Sequence, residues 1–168
     1  MRVLGVDPGL ADTGWAVLES AGQGPRLAES GLIKTHPASA LGNRLGEIHA
    51  GLREVIRRLK PDAAAVEEMF FLKAAHSVRA SLQARGVVLM TAAQASVPIS
   101  EYNPRQVKSS LTGSGAADKP QMQKMVQRLL GLERPLRPDD VADAAAIALC
   151  HLRSGRLRGL KVLERIGA

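Results

Sequence analysis

The opening stretch constrains the fold most: Arg2-Val3-Leu4-Gly5-Val6 runs directly into Asp7-Pro8-Gly9. Val3, Leu4 and Val6 read as a short core strand, and Pro8-Gly9 stops its ladder and turns the chain. Asp7 therefore stands at the exit of a core strand, where a carboxylate is costly to bury unless a cation or hydrogen-bond donors compensate. By itself an Asp-Pro-Gly is most simply a turn. Further acids in comparable positions shift that balance.

Thr13 to Glu19 reads as a second strand and Leu27 to Lys34 as a third, separated by the Gln23-Gly24-Pro25 break. Short turns make these three an antiparallel meander. The period then changes: Leu41, Leu45, Ile48, Leu52, Val55, Ile56 and Leu59 recur at helical spacing and stop before Pro61. The face carrying Arg44, Arg53, Arg57 and Arg58 reads as solvated surface. Ala63-Ala64-Ala65-Val66 is a buried strand ending in Glu67 and Glu68. Reached through a helix, it must lie parallel to a sheet neighbour, which places Glu67 near the end of the first strand. A helix over about Ser77 to Ala95, a strand over Val97 to Tyr102 and a short helix over Asn103 to Leu111 follow. After the loop Thr112-Gly113-Ser114-Gly115, Asp118, Pro120 and Gln121 open another helix with a capping box. Asp139 or Asp140 opens the last one, which the pattern carries to about Arg153.

Asp140 and Asp143 are three residues apart, so a helix sets them about 60° apart on one face. Asp139 projects elsewhere and suits a helix cap. Asp143 lies in the second turn, among Val141, Ala142, Ala144, Ala145 and Ala146, where capping has faded. If Asp7, Glu67, Asp140 and Asp143 converge, their charges raise one another's pKa values unless cations neutralise them. The set offers only oxygen ligands, which suits Mg²⁺ or Mn²⁺. Two such ions about 3.5–4 Å apart can activate a water and stabilise the leaving oxygen of a phosphodiester. The order β-β-β-α-β-α-β-α, with acids on strands one and four and on the last helix, is similar to the ribonuclease H-like nucleases. It implies a five-stranded mixed sheet, an antiparallel meander plus parallel strands, flanked by helices.

Composition narrows the class. The 168 residues, 45% hydrophobic, fit one α/β domain, expected over 1–155 with a basic tail over 156–168. A net charge of +7 favours a polyanionic partner such as nucleic acid. The lone Cys150 excludes an internal disulfide. With no apolar run of spanning length and no signal-peptide pattern, a cytoplasmic protein is expected.

Asp7-Pro8-Gly9, Val66-Glu67-Glu68-Met69-Phe70, Arg105-Gln106-Val107-Lys108 and Asp140-Val141-Ala142-Asp143-Ala144 together resemble, in order and spacing, the RuvC-type Holliday-junction resolvases. The resemblance spans the chain except its tail. It implies a homodimeric endonuclease, dependent on Mg²⁺ or Mn²⁺ with two ions per site, that nicks opposing strands of a four-way DNA junction. A branch-migration helicase complex is the implied partner. Asp7, Glu67, Asp140 and Asp143 match the family's catalytic acids, and Lys108 and Lys119 match lysines near the scissile phosphate. Phe70 matches an aromatic that stacks on a base, while Phe71 reads as core. Lys73, His76, Arg79, Arg105 and Ser114 complete the expected DNA contacts. Ala74-Ala75-His76 departs from the family where an asparagine often follows the lysine, and Glu68 stands where glutamine is expected.

Two other classes compete. An actin-like ATPase also uses Asp-x-Gly turns, and Asp12-Thr13-Gly14 is a second one, but that architecture needs two such domains. A junction-binding protein without catalysis would be favoured had one of the four acids been missing.

Overall fold

In the computed structural model, the backbone is described for all residues but 23, 69–75 and 167–168, and side chains for all but these and 21, 76–78 and 156–166. The elements are β1 (Arg2–Asp7), β2 (Asp12–Ala21), β3 (Gly24–Lys34), α1 (Leu41–Leu59), β4 (Ala63–Glu67), α2 (His76–Gln94), β5 (Ile99–Tyr102), α3 (Pro104–Thr112), α4 (Lys119–Leu129) and α5 (Asp139–Ile166).

The five strands form one sheet in the order β3-β2-β1-β4-β5. β1, β2 and β3 pair antiparallel, as the short turns predict. β4 lies parallel to β1, with Val6 opposite Val66, and β5 lies parallel to β4. The crossover through α1 thus sets the exits of β1 and β4 side by side.

Alternation divides each strand between two cores. Leu4, Val6, Trp15, Val17, Ala64 and Val66 pack with Ile48, Leu52, Val55 and Ile56 of α1 and Ala84, Val88 and Ala92 of α2. Val3, Ala16, Leu18 and Ala65 point the other way, onto α5, α3 and α4. The expected cap of α4 is present: Asp118 accepts from the Gln121 N–H at 2.8 Å, and Gln121 returns a bond to the Asp118 N–H at 3.0 Å. Asn103 caps α3, with Pro104 in its first turn.

One boundary differs from the sequence reading. α5 does not stop near Arg153 but continues to Ile166, through the segment read as a tail. Gly155 and Gly159 are isolated, and an isolated glycine weakens a helix by only about 1 kcal/mol without ending it.

Candidate active site

Asp7 and Glu67 owe their positions to strand parity. Val3 faces α5, Leu4 and Val6 face α1 and α2, and the alternation returns Asp7 to the α5 side. In β4, Ala65 faces α5 and Ala64 and Val66 do not, so Glu67 comes out on the same side as Asp7. α5 crosses this face and delivers Asp140 and Asp143 from its first two turns.

Two glycines permit that crossing. A Cβ on Gly5 would lie 2.0 Å from the Ala144 carbonyl oxygen. One on Gly14, which pairs with Asp7, would lie 2.1 Å from the Asp140 carbonyl oxygen. With no side chain at either position the α5 backbone rests against the sheet. The turn after Asp7 is braced as well: the buried Thr13 hydroxyl donates to the Gly9 carbonyl at 2.6 Å, and Thr35 donates to the Leu10 carbonyl at 2.6 Å.

Asp7 lies within reach of the charges of Asp143, Glu67 and Asp140. The Asp7 carboxyl is pushed up to about 7, first by burial and then by the charges of Asp143, Glu67 and Asp140. Glu67 is raised by burial and by Asp143, with Lys108 opposing. Asp143 is raised by burial, partly offset by Lys119. Lys108, Lys119, Glu67 and Asp143 line a cleft of about 220 Å³, whose apolar side includes Val107 and Met122.

Lys119 is no plain surface charge. Its ammonium lies 3.2 Å from Asp139 Oδ2 and 3.4 Å from Asp143 Oδ2. Burial pulls its pKa down, but the two aspartates outweigh that and hold it above the ordinary value. Asp139, expected to project elsewhere, instead reaches into the edge of this site. Its position at the start of α5 aims it at α4, which lies alongside. Among the described residues, no three His, Cys, Asp or Glu side chains are close enough together, as they lie, to hold one ion. The donor chemistry nevertheless fits a hard divalent cation: four carboxylates, no sulfur or imidazole, and a mutual repulsion that a cation relieves.

The other predicted contacts fare differently. Phe70, Phe71 and Lys73 lie outside the described residues. His76 opens α2, but its side chain is not among those described. Arg79 and Arg105 are exposed, on α2 and α3. Ser114 is exposed beside Gly113, whose left-handed φ of 79° closes α3. It lines a separate groove with Lys124 and Arg128 rather than the acidic cleft. Sequence reasoning missed Gly5 and Gly14 as points of close approach, and missed Gln123 and Arg137 as partners of Asp139. The available signal for the glycines was their place two residues from Asp7 and from Asp12.

A mixed sheet with carboxylates at the exits of two adjacent parallel strands and on the helix crossing them defines the ribonuclease H-like class. Within that class the chain belongs to the RuvC family, since the model of "Crossover junction endodeoxyribonuclease RuvC" matches residues 3–151. The Crossover junction endodeoxyribonuclease RuvC of Chloroflexus aggregans is 50% identical over 151 residues, covering 90% of this chain and 92% of that one. A Thermus thermophilus RuvC structure superposes with a TM-score of 0.85 at 41% identity, over 94% of this chain and 96% of the other. A second, of T. thermophilus RuvC in complex with a Holliday junction substrate, gives 0.88 at 40% identity over the same shares.

Proposed function

We propose that this chain is an endonuclease that resolves four-way DNA junctions in recombination and repair, by paired phosphodiester hydrolysis on opposing strands. The observation that carries the reading is the convergence of Asp7 and Glu67, at the exits of the parallel strands β1 and β4, with Asp140 and Asp143 at the start of α5; burial and these three acids together raise Asp7 to about 7. A cluster so self-repelling suits a site built for cations. The relative solved with a Holliday junction substrate supports the choice of DNA.

Asp7, Glu67, Asp140 and Asp143 would hold Mg²⁺ or Mn²⁺, two ions per site. When bound, such ions supply an activated water and neutralise charge on the leaving oxygen. Lys108 and Lys119, on the cleft's rim, hold the scissile phosphate. Arg79, Arg105, Ser114, Lys73 and His76 engage the backbone beyond it, and Phe70, three residues after Glu67, stacks on a base at the crossover. The catalytic unit is the domain over 1–155. Two nicks on a symmetric junction require two active sites, hence a homodimer, and a branch-migration helicase complex is its partner in the cytoplasm. Among the described residues no helix is long and apolar enough to cross a membrane.

The test is cleavage of a four-way junction beside a linear duplex of the same sequence, in Mg²⁺, Mn²⁺ or EDTA. Paired, metal-dependent nicks confined to the junction are expected, with Asp7→Asn binding the junction but not cutting it. Tight binding without cleavage by the wild-type protein in either metal would make it an architectural protein instead.

A further inference from the structure

Asp139 is not one of the four acids, yet it is the most fully engaged carboxylate at the site's edge. Its Oδ1 accepts from Gln123 Nε2 at 2.7 Å and from an Arg137 guanidinium N–H at 2.7 Å, while Oδ2 faces the Lys119 ammonium at 3.2 Å. All these donors are side chains, so the group is not spent on capping α5. Two donors on one oxygen fix its rotation and leave the other aimed at Lys119.

The arrangement addresses a conflict within the site. Lys119 is shared between Asp139 and Asp143, but Asp143 is one of the carboxylates proposed to ligate metal. An ammonium seated on that oxygen competes with a metal ion for the same lone pairs. The geometry points to Asp139 as a positioning residue: a clamp, braced by Gln123 and Arg137, that draws the Lys119 ammonium off Asp143 when metal binds. Lys119 then stays at the rim of the cleft, where a phosphate can meet it, instead of being lost to solvent. Without the clamp, Asp143 is the one remaining ion-pair partner of Lys119 among the described residues, and Lys119 opposes metal entry. The inference rests on the proposed metal-binding role of the four acids.

The test is Mn²⁺ affinity without DNA, read from the electron paramagnetic resonance of free Mn²⁺, on folded wild-type protein, Asp139→Asn, Lys119→Ala and the double variant. Asp139→Asn is expected to weaken binding about three- to tenfold, on the scale of coupling between contacting residues. Lys119→Ala tightens it, and the double variant matches Lys119→Ala because the clamp has nothing left to hold. Gln123→Ala, which removes one brace, gives a smaller loss in the same direction and carries the test should Asp139→Asn not fold. An equal loss in both lysine backgrounds would reduce Asp139 to a simple field effect and overturn the clamp, as would no loss at all. Wild-type protein that binds no Mn²⁺ would instead overturn the metal reading beneath it.

Discussion

The two faces of the sheet are built on opposite principles. Against α1 and α2 the strands present Leu4, Val6, Trp15 and Val17, and the helices answer with Ile48, Leu52, Val55 and Val88, so bulk fills the space. Against α5 the sheet offers Gly5, Gly14 and Ala16 beside Ala144, Ala145 and Ala148, so that backbone approaches backbone at the two glycines, while Val3, Leu18, Ile147 and Leu149 supply bulk in the same core. The first face's cluster is apolar, and the titratable groups at its edge, half-buried His49 and Arg85, pair with Thr91 and Glu101 rather than with one another. The second face ends in four carboxylates and two lysines. Bulky side chains hold elements apart and tolerate adjustment, whereas small ones fix a distance, and a site made of charges from three separate elements depends on fixed distance. The alanine-rich composition serves that close approach.

The largest expected effect separates the faces by pH. The Asp7 value of about 7 in the folded chain lies above its ordinary 3.8, so the folded state holds a proton that the unfolded state releases. Stability from this group is fully present below pH 3.8 and is lost as pH rises through 7, by at most roughly 4 kcal/mol. Melts of metal-free protein between pH 5 and 8 should show this fall, and Asp7→Asn should make it shallower, with Glu67 and Asp143, both also raised, keeping part of it. A wild-type profile no steeper than the variant's would show that neither burial nor the neighbouring acids hold a proton on Asp7.

Next is the close approach itself. In Gly5→Ala the new methyl must displace the Ala144 carbonyl, with an expected loss of roughly 3 kcal/mol in denaturant melts and a parallel loss of Mn²⁺ affinity. Unchanged metal affinity would mean that the site tolerates a shifted α5. The smallest effect belongs to the opposite face: Ile48→Val, fully buried in α1, should lower stability by about 1 kcal/mol and leave Mn²⁺ affinity untouched. A change in affinity there would show the faces to be coupled.

What the sequence makes legible follows this division. Strands β1 and β4 are short apolar runs ending in an acid, and Asp140 and Asp143 share a helix face, so local periodicity reaches all four carboxylates. The parallel pairing that joins Asp7 to Glu67 follows from chain connectivity through α1. Gly14 reads only as turn chemistry, because the helix it admits lies far along the chain. Asp139 reads as a cap, since its partners Lys119 and Gln123 belong to α4, and nothing local to Asp139 encodes how α4 docks on α5. The extension of α5 to Ile166 escapes as well, because Ser154, Gly155 and Gly159 interrupt the pattern after Leu152, although Leu157, Leu160, Leu163 and Ile166 keep a helical spacing.

The central claim is that Asp7, Glu67, Asp140 and Asp143 form one divalent-cation site on the α5 face. Anomalous diffraction at the manganese edge, from crystals grown in Mn²⁺, tests it most directly. The account predicts manganese peaks bounded by these four carboxylates, with Lys119 moved from Asp143 towards Asp139. Ordered carboxylates with no manganese between them, or manganese bound only elsewhere on the chain, would contradict it.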